Sequence, residues 1–469
     1  MKRKNLDGVK HMIRSIEGIF EICILTLCYY LVWRHVYGEG IFPAYYGYGK
    51  YVLAGVYALL ILVLFRNFDG FKFGYMKLTD VIISQCIGMV LANFITYWQL
   101  CLIANQMINA VPLLMLSAID VIVIIGCSYL YTVIYHHLYV PKNMVLVYGT
   151  EEALTLKFKL DTRKDKYRVN KLISKDAGLE TICKTIVDYD AVIIAGVPAQ
   201  LRNDILKFCY QNEIRTYLSP KVSDIIIQGG TKITLFDTPL MLVRSKGLTL
   251  SQRTFKRALD VVLSLIALII ASPFMLLTAL AIKLEDGGPI FYKQKRVTIG
   301  GKEFDILKFR SMIVDAEKNN KPQPAIDRDP RITRVGHIIR ACRVDELPQI
   351  LNILKGDMSI VGPRPERVEN VQEYMAEFPE FSYRLKVKGG LTGYAQIYGK
   401  YNTTAYDKLR LDLEYITNYS LMLDIKLILT TLRILMSKES TEGFDKQEEL
   451  RHKIDELLKE ESAKSEGDE

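Results

Sequence analysis

The stretch ALDVVLSLIALIIASPFMLLTALAIKL, Ala258 to Leu284, decides how the chain is read. It is long enough to cross a bilayer core, which takes about 20 apolar residues. Lys256 and Arg257 precede it, and Lys283, Lys293, Lys295 and Arg296 close or follow it, so both flanks carry the basic mark of a cytoplasmic face. Ser272-Pro273 stands near its middle. Proline removes a backbone donor and crowds the preceding turn, while a serine hydroxyl can satisfy the carbonyl left behind. Each half is roughly 15 Å of helix, half a membrane core. The pattern predicts a re-entrant helix hairpin over 256–284 that enters and leaves the same leaflet, with a kinked ordinary span as the alternative.

Working outward, the 469 residues are half apolar and about a quarter charged, with a net charge of +9. That composition excludes a mainly disordered chain, and 30 Gly without a Gly-X-Y period exclude a collagen-like one. Eight cysteines include no CxxC pair, so neither a disulfide framework nor a zinc site is expected. Four apolar stretches, Gly18–Trp33, Tyr51–Phe65, Val81–Ala104 and Ala110–Tyr135, predict a four-span domain over 1–142. Glu21 interrupts the first and makes it marginal, and Tyr45, Tyr46 and Tyr48 extend the short second as an interfacial belt. A cleaved signal peptide is disfavoured because Glu17 and Glu21 break its apolar region. Lys2, Arg3, Lys4, Lys10 and Arg14 before span one, and Arg66, Lys72 and Lys77 between spans two and three, place those segments and everything after span four on the cytoplasmic side. Asp120 within span four reads either as part of an ion path or as a hydrogen-bonding group inside the bundle.

Residues 143–248 alternate strand and helix patterns and predict an α/β, Rossmann-like domain. The turn after its first strand, Tyr148-Gly149-Thr150-Glu151-Glu152, has one glycine and two carboxylates where a dinucleotide's pyrophosphate would approach. A structural or regulatory role therefore outweighs dinucleotide binding.

Beyond the hairpin, Arg296, Lys308, Arg310, Arg328, Arg331, Arg334, Arg340, Arg343, Arg364 and Arg367 form a basic field suited to phosphate oxygens. Nucleic acid is not the expected partner, because no recognition-helix or aromatic-interleaved motif accompanies it. Inside the field, RACRVDELPQILNILKGDMSIVGPRPE, Arg340 to Glu366, sets Asp345 and Glu346 just ahead of Pro348 and an apolar run. Proline favours a first helical turn, so the pair should lie at a helix N-terminus, where a carboxylate or phosphoryl group is stabilised. One carboxylate could attack phosphorus while its neighbour helps hold a divalent cation. On spacing alone, an N-terminal helix cap with one solvated acid is the better reading of the pair.

Residues 250–437 resemble the bacterial sugar transferase family, the monotopic phosphoglycosyl transferases. The resemblance runs through the Ser272-Pro273 hairpin, YKQKR ending at Arg296, LKFRSM at 307–312, DPRITRVGHIIR at 329–340, VDELPQ, GDMSIVGPRPE, GLTGYAQIYG at 390–399 and DLEYITNYSLMLDIKLILTT. With the spans and the α/β unit, the chain is similar in architecture to the large undecaprenyl-phosphate galactose or glucose phosphotransferases. The resemblance implies an α-rich monotopic catalytic domain over 249–437, and a multi-domain membrane protein overall. It implies transfer of a hexose 1-phosphate from a UDP-sugar to undecaprenyl phosphate, with release of UMP, in exopolysaccharide, capsule or O-antigen synthesis at the cytoplasmic face of the bacterial inner membrane. Asp345 matches the nucleophile and Glu346 the carboxylate that binds Mg2+. Arg340 matches a lipid-phosphate contact, Arg364 a nucleotide contact, and Lys308 and Arg310 a basic motif facing the phosphates. Arg296 and Arg343 complete the substrate-binding candidates. Two positions depart from the family pattern: Gly389 stands where Lys-Pro-Gly usually places proline, and Thr298 where a glycine often follows Arg-Val. The competing readings are a non-catalytic membrane scaffold and a membrane-anchored nucleotide-sugar dehydratase. A homodimer is compatible with the membrane packing, and the charged tail 438–469 carries the spacing of a short amphipathic helix. The sugar is not legible in single positions.

Overall fold

The computed structural model describes residues 5–38, 48–74, 76, 78–138, 141–243, 247–314, 316, 329–399 and 403–436. The expected tail helix, Lys2 to Lys4, Lys77, Tyr45, Tyr46 and Arg328 lie outside these residues. The chain forms two compact units, Met1–Ser219 and Pro220–Glu469.

The first unit opens with helices α1 (Asn5–Val32, continued by a π-type turn to Tyr37), α2 (Gly49–Asn67), α3 (Leu78–Ala104) and α4 (Val111–Leu138). Each is long and apolar enough to cross a membrane, and Tyr29, Tyr57, Ile61, Leu100, Leu116 and Ile124 share one buried core. Glu21 does not weaken the first span as expected. It is fully buried and accepts from Gln85 Nε2 at 2.9 Å, and Gln85 also accepts from Ser128 Oγ. An acid placed inside a helix bundle with an amide partner avoids lipid altogether. Asp120 is likewise interior, accepting from Asn93 Nδ2 at 3.0 Å, while Asn93 accepts from the Tyr57 hydroxyl.

The α/β part of this unit contains β1 (Lys142–Tyr148), α5 (Glu151–Asp161), β2 (Tyr167–Ser174), α6 (Leu179–Ile186), β3 (Ala191–Ala195), α7 (Ala199–Gln211) and β4 (Arg215–Leu218). Its four strands are parallel in the order β2-β1-β3-β4, with Val145, Val147, Val192 and Ile194 buried on one face and Met144, Leu146 and Ile193 on the other. At the strand ends the Gly149 amide donates to the Ala195 carbonyl, and a Cβ on Gly149 would lie 2.3 Å from the Gly196 carbonyl oxygen. The glycine thus serves a close approach between two strand ends.

The second unit begins with α8 (Val222–Gln228) and the hairpin β5 (Thr231–Leu235) and β6 (Thr238–Leu242). The sequence pattern groups these residues with the α/β domain to 248. The structure instead packs Val222 and Ile225 against Leu409, Leu413 and Ile416, and Arg410 donates to the Pro220 carbonyl. Then come α9 (Leu250–Asp286), β7 (Phe291–Val297), β8 (Glu303–Phe309), α10 (Arg334–Ala341), α11 (Gln349–Lys355), β9 (Ser359–Val361), α12 (Val368–Glu377), β10 (Gly390–Thr392), α13 (Tyr394–Tyr398), α14 (Ala405–Thr417) and α15 (Leu421–Met436). Strands β7 and β8 pair antiparallel, and β9 and β10 pair parallel.

Helix α9 is a fifth apolar helix of membrane-crossing length. Where two separate halves were expected, it runs uninterrupted through Pro273. The Ile269 carbonyl, which Pro273 cannot engage, accepts from Ser272 Oγ at 2.9 Å, so the break in the ladder is repaired locally. Both ends of α9 are held by the same unit. Near the start, Lys256 Nζ meets Asp424 at 2.7 Å, and Asp260 accepts from Ser359 Oγ and the Ile360 amide. Near the end, Ile282 packs with Phe309 and Ile339, and Glu285 accepts from the Val335 amide.

Candidate active site

Asp345 and Glu346 lie in a single 3-10 turn, Val344–Glu346, immediately ahead of α11. Pro348 caps α11 instead of occupying its first turn. Arg343, which opens the 3-10 turn, has φ of +54°, a left-handed conformation that is uncommon outside glycine and reverses the chain after α10. The far end of α11 is fixed by Arg257, whose fork donates to the Ile353 and Leu354 carbonyls, each at 2.6 Å. Asn352 ties α11 to β8 by accepting from the Leu307 amide and donating to the Asp305 carbonyl, both at 2.9 Å.

That register brings Lys308 of β8 to Glu346: Nζ donates to Oε1 at 2.8 Å, and Arg364 donates to the same oxygen at 3.1 Å. Burial disfavours the Glu346 carboxylate, but the Arg364 and Lys308 charges outweigh it and hold the group well below the usual carboxylate range. Its neighbour behaves oppositely. Burial raises Asp345, the Glu346 charge adds to the rise, and Lys308 and Arg340 only partly offset it. Among the described residues, the Asp345 carboxylate takes a hydrogen bond from its own backbone amide and from no side chain. Two adjacent acids are thereby differentiated, one clasped by two cations and one engaged by no side chain among the described residues.

The turn carrying Arg364 is held from both sides. Arg384, buried with Asp412, donates to the Arg364 carbonyl at 2.8 Å; burial pushes Asp412 up to about 6 despite the Arg384 charge. The Pro363 carbonyl accepts from the Gly390 amide at 2.9 Å, and a Cβ on Gly362 would lie 2.4 Å from the Lys388 carbonyl oxygen. Here the two departures from the family pattern meet. Buried Thr298 accepts from the Gly389 amide and donates to the Asp357 carbonyl, each at 3.1 Å. Proline at 389 would have no N–H to offer, and glycine at 298 no hydroxyl to receive it.

Of the remaining candidates, Arg296 lies against the same turn, donating to the Pro365 carbonyl at 3.0 Å and to Gln294; burial and Arg364 lower it to about 10. Arg340 is half-buried in the last turn of α10, with its charge felt at Asp345, and Arg343 is exposed. Arg310 is placed differently from expectation. It lies beyond the end of β8, its fork is engaged by Asp286, and Nε donates to the Pro289 carbonyl at 2.7 Å. It clamps the end of α9, and its donors are committed there. Sequence reasoning missed Arg257, Asn352 and Arg384, whose partners lie 20 to 97 residues away and leave no local signal.

No cluster of three His, Cys, Asp or Glu side chains exists among the described residues. Magnesium, however, usually keeps its waters and binds one or two carboxylates together with substrate phosphates. Asp345 and the Glu346 oxygen not taken by Lys308 and Arg364 are hard donors of that kind, so the pair fits as the protein's share of such a site.

The family model described as bacterial sugar transferase matches residues 251–438. A UDP-N-acetylgalactosamine-undecaprenyl-phosphate N-acetylgalactosaminephosphotransferase of Aeromonas hydrophila is 44% identical over 185 residues, 39% of this chain and 44% of that protein. A UDP-glucose:undecaprenyl-phosphate glucose-1-phosphate transferase of Caulobacter vibrioides is 42% identical over 190 residues, 39% of this chain and 71% of that protein. One of the same description from Escherichia coli is 40% identical over 211 residues, 44% of each chain. The match thus spans under half the length of the Aeromonas and Escherichia relatives and most of the Caulobacter one. Matched by that family model and by the Caulobacter relative over 71% of its length, the chain belongs to the bacterial sugar transferase family.

Proposed function

We propose that the protein transfers a hexose 1-phosphate from a UDP-sugar to undecaprenyl phosphate, initiating a surface polysaccharide at the cytoplasmic face of the inner membrane. The observation that carries this reading is the divided carboxylate pair: Glu346 clasped by Lys308 and Arg364, with Asp345 beside it and unengaged. In the first step an Asp345 oxygen attacks the sugar-bearing phosphorus; the P–O bond to the bridging oxygen breaks, and UMP leaves with that electron pair. In the second step a phosphate oxygen of undecaprenyl phosphate attacks the same phosphorus and the acyl-phosphate P–O bond breaks, returning the carboxylate. Phosphoryl transfer of this type needs alignment and charge neutralisation more than covalent machinery. Arg364 and Lys308 supply fixed positive charge, and Arg340 stands beside the nucleophile. Magnesium, held by Glu346 with Asp345, would screen the pyrophosphate.

We further propose that α9 is re-entrant. Support comes from Lys256, Asp260, Ile282 and Glu285, which bring both ends of the helix onto one globular unit. This arrangement lets a soluble nucleotide sugar and an embedded lipid reach one aspartate.

The test is UMP release by the full chain in nanodiscs with a panel of UDP-sugars, polyprenyl phosphate and Mg2+. Asp345→Asn should abolish it, and labelled donor without acceptor should leave a phosphosugar on Asp345 in peptide mass spectra. Release at background with every sugar, or an active protein never modified at Asp345, would overturn the assignment.

A further inference from the structure

We propose that Arg384 is a positioning residue for the sugar-phosphate transfer proposed above, on which this inference rests: paired with Asp412, it aims Arg364 at the reacting phosphates by holding the carbonyl of Arg364 itself.

Arg364 stands between Pro363 and Pro365, so the turn that carries it lacks two N–H groups. It is fastened through its carbonyls, four of which are engaged in succession. Pro363 accepts from the Gly390 amide at 2.9 Å, Arg364 from Arg384 Nη2 at 2.8 Å, Pro365 from Arg296 Nη1 at 3.0 Å and Glu366 from the Val297 amide at 3.1 Å. The Arg364 side chain is 42% exposed. Neighbouring atoms therefore confine it only in part, and its direction toward Glu346 depends on where the backbone beneath it is held.

Arg384 comes from the 3-10 segment Pro379–Lys386 and Asp412 from α14. Both are buried; Arg384 Nε donates to Asp412 Oδ2 at 2.9 Å, Nη1 faces Glu366 at 3.8 Å, and the guanidinium lies 4.8 Å from the Phe381 ring. Taking such a pair out of water carries a desolvation cost that its attraction barely offsets, and apolar side chains of similar volume often stabilise a fold as well or better. What apolar side chains cannot provide is a donor. The planar guanidinium keeps Asp412 on one edge while Nη2 reaches the Arg364 carbonyl, a division that only a fork allows. Phosphoryl transfer gains most from charges fixed in place before the substrate arrives, and a misplacement of about 1 Å can cost about a hundredfold in rate. The pair is there for the aim of Arg364.

The test separates folding from turnover in the full chain in nanodiscs. Arg384→Met with Asp412→Val replaces the pair by apolar side chains; it should melt near the wild-type temperature while UMP release falls roughly tenfold to a hundredfold. A double-mutant cycle reads the route. In an Arg364→Gln background the same replacement should cause little further loss, because the group being aimed is gone, whereas a general weakening of the fold would take the same factor from either background. Arg384→Lys keeps a buried cation without the fork, and carries the same cycle if the apolar pair does not fold. Its smaller loss should likewise vanish when Arg364 is absent. Wild-type release by a folded variant lacking the fork, or an equal fold-loss with and without Arg364, would overturn the role of Arg384 and leave the reaction standing. Background release from the wild type would remove the reaction, and this role with it.

Discussion

Replacing Glu346 by Gln keeps the side chain's shape and removes its charge, leaving Lys308 and Arg364 without the carboxylate they share. Lys308 and Glu346 are 20% and 17% exposed at the side chain, so this half of the clasp is largely buried. Removing one partner of a buried pair typically costs about 3–5 kcal/mol. Arg364 is 42% exposed, and its share is discounted to under about 1 kcal/mol. Glu346→Gln should therefore destabilise the second unit by about 3 kcal/mol, a melting shift of roughly 6–12 °C for a unit of this size. Asp345→Asn should do the reverse: burial already disfavours its ionised form, so a neutral amide should melt at or above wild type while losing UMP release. The sign with pH follows. A carboxylate held low in the fold stabilises it fully above its unfolded value of about 4.3 and loses that contribution as the pH falls, so the gap between wild type and Glu346→Gln should narrow below about pH 4.3. Differential scanning calorimetry across that range is the assay. If Glu346→Gln melts with wild type, or Asp345→Asn falls as far as Glu346→Gln, the division of labour between the two acids is wrong.

Thr298→Val, which leaves the Gly389 amide and Asp357 carbonyl without their partner, should lower the unfolding free energy by about 1–3 kcal/mol in denaturant melts, while Thr298→Ser stays within about 1 kcal/mol of wild type. Single cysteines at Arg253 and Lys293, in a background lacking the native ones, should react with an impermeant maleimide from the same side of the membrane; labelling from opposite sides would make α9 an ordinary span. Asp120→Asn should be tolerated, and Asp120→Leu, which breaks the link to Asn93, should lower stability in nanodisc melts by roughly 0.6–1.7 kcal/mol.

What the sequence disclosed, and what it hid, follows the range of the interactions. The hydropathy of four stretches was enough to place α1 to α4, because each span is written in consecutive residues. The Ser272 hydroxyl on the Ile269 carbonyl was legible because both lie in one helical turn. The Asp345–Glu346 pair was visible as a dipeptide, and its meaning came from neighbouring motifs. The basic motif does not indicate where Arg310 goes, because β8 ends at Phe309 and the arginine turns to Asp286, 24 residues away. Lys256, Tyr415 and Asp424 form one buried network across a separation of 168 residues, which no periodicity encodes. The short helix α8 has an apolar pattern that suits either neighbouring fold, and only packing against α14 assigns it.

Arg257 has a mechanical consequence. It issues from α9 and grips the last carbonyls of the seven-residue α11, whose opposite end follows directly on the turn that carries Asp345. A helix that short is about 10 Å long, too stiff to absorb a push at one end. On the proposed mechanism, a tilt of α9 imposed by a thicker or thinner lipid film would be levered through α11 to Asp345, making the surrounding lipid a setting on the geometry of the step as well as a solvent for the proposed acceptor.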